Sequence, residues 1–292
     1  MTCIFNAVLN GKTFPDDWTK GMITLLHKGG KTDDLNNYRG ISLLPCLSKV
    51  FTKIINTRLM KFAEENGLNM EEQAAYRKGY GTVDQIFVLQ SLIEKQLSQR
   101  HGRYYVIFVD FHKAFDGIPH LQLIYTLIKN GIHGNVLHVL RSLYQNLKSS
   151  IRMGNQGITD FFSCTAGTRQ GCILSPFLFT LFIGKLVEML SCYDCQGIQV
   201  NEDAMNIMIL LYADDVVKGA VTVKRLQDMI NVLQEFCNKW GLLANMTKTK
   251  VMVFRKGGVL RNNEKWYMYK PFRNCFCVQV FRTLLYYQPL LD

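Results

Sequence analysis

The stretch that most constrains this chain is Leu210-Leu211-Tyr212-Ala213-Asp214-Asp215-Val216-Val217, two adjacent carboxylates between apolar runs. In a regular strand neighbouring side chains point to opposite faces, so one aspartate would enter the core. A hairpin turn at the pair removes the conflict, because turn residues leave the pleat and Asp tolerates that backbone. Two carboxylates at the mouth of a buried hairpin repel each other, and their pKa values shift unless a cation sits between them. The plain alternative for any Asp-Asp is a solvated turn, and the apolar flanks weigh against it here.

A chain of 292 residues, 48% of them hydrophobic, has the material for one large or two modest domains and is not globally disordered. Its net charge of +11 and pI near 9.2 favour a polyanionic partner such as nucleic acid. Nine cysteines, an odd number, do not read as a disulfide framework. Cys192 and Cys195 form a C-x-x-C and Cys275 and Cys277 a C-x-C, but no second pair or His pair completes a zinc set. A reducing compartment fits such thiols. No charged-then-apolar leader opens the chain, and no uninterrupted apolar run reaches the ~20 residues of a membrane span. The expectation is a soluble intracellular protein, nuclear or cytoplasmic, without a membrane partner.

Periodicity predicts the elements. Met22 to Leu26 reads as a strand. After Pro45, a helix carries Val50, Phe51, Ile54, Ile55, Leu59 and Phe62 on one face and stops at Gly67. Gln73 to Gly81 is a basic, glycine-bearing loop, and Thr82 with Gln85 has capping-box spacing before a helix carrying Ile86, Leu89, Ile93 and Leu97. Tyr104 to Phe111, broken only by Asp110, reads as a strand buried on both faces. Helices follow near 119–130 and 134–147. Ser175-Pro176 opens another, with Ser as N-cap, and Leu226, Met229, Ile230, Leu233, Phe236 and Trp240 mark one closed by Gly241. Val251 to Phe254 is strand-like. With no repeat and no low-complexity linker, one continuous α+β unit is the simplest reading.

Asp110 changes the argument. An aspartate at the end of a buried strand is costly unless it binds or pairs. If that strand lies beside the Asp214-Asp215 hairpin in an antiparallel sheet, three carboxylates converge. Such hard oxygen donors suit Mg²⁺, and two ions about 4 Å apart are the apparatus of in-line nucleotidyl transfer.

These residues stand in motifs. Phe108-Val109-Asp110-Phe111-His112-Lys113-Ala114-Phe115-Asp116, Thr168-Arg169-Gln170-Gly171-Cys172-Ile173-Leu174-Ser175-Pro176 and Tyr212-Ala213-Asp214-Asp215 occur in that order. Asn245-Met246-Thr247-Lys248-Thr249 follows them, and Tyr38-Arg39-Gly40-Ile41-Ser42-Leu43 and the Gln73–Gly81 loop precede them. Over roughly residues 14–265 the chain resembles the reverse transcriptase domain of non-LTR retrotransposons of the long interspersed element type, truncated at both ends. The resemblance implies an α+β right-hand polymerase fold, with fingers in 1–103, palm in 104–258 on an antiparallel sheet, and a divergent stub at 259–292 in place of primer grip and thumb. In that stub Phe281-Arg282-Thr283-Leu284-Leu285 stands where the grip is expected, without its glycine.

The resemblance further implies RNA-directed DNA synthesis from dNTPs on an RNA template and a DNA or RNA primer. Two Mg²⁺ ions, with Mn²⁺ as a substitute, would be held by Asp110, Asp214 and Asp215. Lys248 would assist the leaving pyrophosphate. Phe115 would exclude a 2′-hydroxyl, and Phe111, Gln170 and Gly171 would face the nucleotide. Arg39, Lys49, Arg77 and Lys78 are candidates for phosphate contacts, each of which alone also reads as a basic surface residue. Asp116 reads as a cap of the helix after the first motif. Two other readings stay open: an inactive remnant that at most binds nucleic acid, and another palm polymerase such as an intron-encoded or RNA-synthesising one.

Overall fold

A strand without a charge from Tyr104 to Val109 needs cover on both faces, and the computed structural model supplies it. The structure describes residues 1–11, 14–68, 71–77, 79–154, 157–193, 197–199, 206–207, 209–257, 261, 263–269, 275–277 and 279–284. Helices α1 (Thr2–Leu9) and α2 (Asp16–Thr19) lead into strands β1 (Lys20–His27) and β2 (Tyr38–Leu43), then helices α3 (Cys46–Glu65) and α4 (Thr82–Ser98). Next come β3 (Arg103–Val109), α5 (Ala114–Gly117), α6 (His120–Lys129), α7 (Gly134–Gln145), β4 (Lys148–Arg152), β5 (Phe162–Ser163) and α8 (Ser175–Cys192). The last part holds β6 (Ile198–Gln199), β7 (Asn206–Ile207), β8 (Ile209–Tyr212), β9 (Asp215–Ala220), α9 (Val223–Trp240), β10 (Lys250–Arg255), β11 (Tyr267–Tyr269), β12 (Cys275–Cys277) and β13 (Gln279–Leu284).

These elements gather into two compact units rather than one, each made of two separate stretches: 1–69 with 113–182, and 70–112 with 183–292. The reading as a single continuous unit is corrected on this point. Because each unit is discontinuous, no linker composition marks its boundary.

The first unit carries a four-stranded sheet ordered β2-β1-β4-β5. Strand β1 runs antiparallel to β2 and parallel to β4. The short, polar β4 and β5 carry no strand signal in sequence. Nor does α1, whose Phe5 joins Trp18 and Phe51 in an aromatic cluster with ring centroids 5.1–5.8 Å apart. On α3 the expected Phe51, Ile55 and Leu59 are buried, whereas Val50 is 47% exposed and Thr52 and Asn56 take inward positions. Helix α8 is long and apolar enough to cross a membrane by length and composition, and it escapes the apolar-run test because Lys185 and Glu188 interrupt it. Here it is a buried helix whose chain passes from the first unit (Leu178, Phe179, Phe182) to the second (Ile183, Leu186, Leu190), all six side chains fully buried. Ser175 is its first residue, and its hydroxyl donates to the Arg169 carbonyl at 2.8 Å, so it does not act as the expected N-cap.

The second unit carries a five-stranded sheet ordered β13-β10-β3-β9-β8. Pairings β10–β3, β3–β9 and β8–β9 are antiparallel, as expected of the palm sheet. The edge strand β13, from the stretch expected as a divergent stub, instead pairs parallel to β10. A parallel neighbour needs a long crossover, and residues 256–278 provide it. Tyr104 and Val106 pack against Leu92, Ile93 and Leu97 of α4. The alternate Tyr105, Ile107 and Val109 point to the other face. There Tyr105 meets Trp266 at 5.4 Å, and the Trp266 indole donates to Val223 at the start of α9. Every expected core residue of α9 is buried, and Gly241 closes the helix with φ +79°. The start of α4 differs from expectation. Gly81 is the N-cap and donates to the Asp84 carboxylate at 2.6 Å, while Gln85 donates to the Glu72 carbonyl at 3.2 Å. Ile86, expected inside, is 62% exposed.

Among the described residues Cys3, Cys46, Cys164, Cys172, Cys192 and Cys237 are free thiols. Cys195 and the side chains of Cys275 and Cys277 lie outside the described residues.

Candidate active site

Strand register brings the carboxylates together in the second unit. The last β3–β9 pair is Val109 opposite Val216, so one further step sets Asp110 opposite Asp215. Strands β8 and β9 join through a two-residue turn, Ala213-Asp214, with Tyr212 opposite Asp215. Partial burial first, then the Asp214 and Asp110 carboxylates, push Asp215 above the ordinary carboxylate value, against the pull of Lys248. The Lys248 ammonium lies 3.9 Å from Asp110 Oδ2. The turn expected at the Asp-Asp pair is present but one residue earlier, since it takes Ala213 and Asp214 while Asp215 opens β9.

Two clips hold this arrangement. Residues 243–249 fasten to the end of β3: His112 N–H donates to the Leu243 carbonyl and Asn245 N–H to the Asp110 carbonyl, both at 2.7 Å. Asp110 N–H donates to the fully buried Thr249 hydroxyl at 3.3 Å. The second clip is Gln73. Its side chain is fully buried, its Oε1 accepts from Ala213 N–H at 2.9 Å and Ala75 N–H at 3.0 Å, and its Nε2 donates to the Ala213 carbonyl at 3.2 Å. Ala213 has φ +55°, an unfavourable backbone for a residue with a Cβ. A single amide therefore grips both polar groups of the strained residue that presents Asp214. Sequence reasoning passed over Gln73, because an uncharged residue at the head of a basic loop carries no periodic or charge signal. Tyr76 is also gathered here: partial burial, then Asp214 and Tyr212, raise its phenol above its ordinary value.

The first unit assembles a different group. Gln170 Nε2 donates to Asp116 Oδ1 at 3.0 Å, so Asp116 orients Gln170 and does not cap a helix. Burial raises the Asp116 carboxyl, opposed by that amide and by Lys113, Lys28 and Arg39. Lys28 and Lys113, unremarked in the sequence, thus join the expected Arg39. The Phe115 ring stacks on Phe179 at 4.3 Å and 21°. Gly171 has φ +115°, and a Cβ there would stand 2.6 Å from the Ser42 carbonyl oxygen, so only glycine fits.

The remaining expected residues divide. Phe111 is 4% exposed, a core side chain whose backbone bridges Ala244. The Arg77 guanidinium lies 4.3 Å over the Tyr80 ring. No described hydrogen bond or ion pair draws the half-buried Lys49 side chain to either group. Lys78 lies outside the described residues.

The donor set fits a divalent cation. The carboxylates are hard oxygen ligands, and their mutual repulsion at Asp215 is what a cation relieves. Among the described residues no three His, Cys, Asp or Glu side chains close into a ready cage.

Comparison with known proteins gives the family and the fold. The probable RNA-directed DNA polymerase from transposon X-element of Drosophila melanogaster is 28% identical over 267 residues, covering 87% of this chain and 27% of the relative. The Pol polyprotein of the type-1 retrotransposable element R2 from Popillia japonica is 26% identical, over 84% of this chain and 34% of its own length. The chain thus spans about a quarter to a third of these relatives. Telomerase from Candida tropicalis, solved with a fragment of telomeric RNA, shares the fold with a TM-score of 0.59 at 16% identity, over 81% of this chain and 41% of that one. Apo telomerase of the same organism, lacking its C-terminal domain, gives 0.57 at 15% identity, over 87% and 53%. The expected right-hand polymerase architecture of fingers and palm is therefore the one this chain adopts. The profile of one family, described as reverse transcriptase (RNA-dependent DNA polymerase), matches residues 26–273, and the chain belongs to that family.

Proposed function

We propose that this chain carries out RNA-directed DNA synthesis, adding dNTPs to the 3′-hydroxyl of a DNA or RNA primer on an RNA template. The observation that carries the reading is the convergence of Asp110, Asp214 and Asp215 at one end of β3 and β9, with Lys248 beside Asp110. In the reaction the primer oxygen bonds to the α-phosphorus as the bond to the outgoing pyrophosphate breaks. Two divalent cations, Mg²⁺ or Mn²⁺ in its place, supply activation of the hydroxyl and neutralisation of the phosphates when bound. Asp110, Asp214 and Asp215 would hold them. Lys248, its side chain 69% exposed, would give a proton or a positive charge to the leaving pyrophosphate.

Phe115, braced by Phe179, presents a rigid ring against a 2′-hydroxyl. Gln170, fixed by Asp116 among Lys28, Arg39 and Lys113, offers an oriented amide in a positive field suited to phosphate.

The test is primer extension on an RNA template with dNTPs and Mg²⁺. The native chain extends, and the Asp214→Asn/Asp215→Asn variant loses more than about a hundredfold of the rate. Phe115→Ala admits ribonucleotides. A folded native chain that binds RNA without extending it would favour the inactive remnant instead.

A further inference from the structure

The opposite end of the same sheet holds a second cluster that polymerisation does not use. Across the antiparallel β3–β10 pair, Arg103 stands directly opposite Arg255. Like charges in that position destabilise a sheet unless something lies between them. The two arginines line a cavity of about 490 Å³ with His101, Lys256 and Arg261. Glu264, an acidic neighbour among the described residues, is already committed: it accepts from the Arg103 guanidinium, from the Tyr105 hydroxyl at 2.9 Å and from Arg261 N–H at 2.9 Å. Among the described residues, Arg103, Arg255, Lys256 and Arg261 thus gather their side chains around this cavity.

Arg255 adds an independent sign. It is 95% buried, one Nη donates to the Gly257 carbonyl at 3.3 Å, and its Nε–H has no partner among the described residues. A buried guanidinium donor left unsatisfied beside a cavity calls for an acceptor, and the planar fork of arginine matches a phosphate.

We infer that this cavity takes a phosphate of a nucleic-acid strand, at a second anchoring point remote from the carboxylates. Seven residues of extended chain separate Arg103 from Asp110, about 23 Å at strand rise, so one nucleotide held at the aspartates does not reach it. The identity of the ligand as nucleic acid rests on the polymerase reading; the phosphate chemistry does not.

The test is fluorescence anisotropy of the full chain with a short labelled single-stranded RNA, without Mg²⁺ or dNTPs, from about 50 to about 200 mM salt. Lys256→Gln/Arg261→Gln, both at exposed positions, binds about tenfold more weakly and flattens the log-affinity against log-salt slope by about 1.4, the value for two phosphate contacts on a single strand. Arg255→Gln shifts binding the same way, with far-UV melting to show that it folds. Unchanged affinity and slope in folded Lys256→Gln/Arg261→Gln overturn the inference, whatever primer extension shows. A native chain that inorganic phosphate stabilises thermally through Arg255, but that binds no RNA, overturns the nucleic-acid assignment.

Discussion

At the scale of single residues, Gln73 is the most instructive. It neither titrates nor touches a substrate group, yet it satisfies both polar groups of Ala213 and one of Ala75. Gln73→Leu leaves two buried N–H groups without acceptors, each loss on the order of 1–3 kcal/mol. Extension should fall through kcat with little change in KM for dNTP. Gln73→Glu sets a charged oxygen against the Ala213 carbonyl in a fully buried site, so it should lose activity as well; native activity in a folded Gln73→Leu would show that the clamp is unimportant. Gly171 is the second case. Gly171→Ala meets the Ser42 carbonyl at a positive φ, and about 1–3 kcal/mol of backbone strain should appear as a lower Tm. The sequence named Gly171 by motif, and the structure supplies the steric reason.

At the scale of elements, pairs of strands and helices carry constraints that no one segment shows. Gly219 in β9 lies against the ring of Tyr104 from β3, and an added Cβ would overlap the phenol. Gly219→Ala is therefore overpacked between neighbouring strands, and chemical denaturation should show a loss of about 1–3 kcal/mol. Tyr104→Phe would not rescue it, because ring carbon as well as the hydroxyl is in the way. Helix α6 supplies a pH effect. His120, at its start, hydrogen-bonds the Gly167 carbonyl at 2.9 Å and meets the Tyr144 ring at 5.0 Å. Burial outweighs these bonds and lowers its pKa below 6.5. The unfolded chain then takes up the proton first as pH falls, so stability declines below about 6.5 and until the folded imidazole itself titrates. Melting curves on the acid side should show this decline, and His120→Gln should flatten it. Asp116 and its neighbours share the loop that His120 pins, since Thr168 N–H donates to the Phe115 carbonyl at 2.7 Å.

At the scale of the whole molecule, a net charge of +11 predicts that RNA affinity falls steeply with salt, and affinity unchanged from low to physiological salt would deny that phosphates are the main contact. The sequence by itself determined much. Strong periodicity placed α9, the apolar run placed β3, and an Asp-Asp pair between apolar strands required a turn, because strand alternation would otherwise bury a charge. Six ordered motifs determined the family. What those local patterns do not contain is distance between remote segments. The break into two interleaved units, the polar strands β4 and β5, the parallel β13 and the exposure of Val50 and Ile86 depend on which surface each segment meets. So do the grip of Gln73 on a turn 140 residues away and the facing pair Arg103 and Arg255. Local chemistry is written in residue type and spacing, whereas a buried amide or an opposed pair of arginines acquires its partner only when the chain closes, and only the tertiary structure decided those.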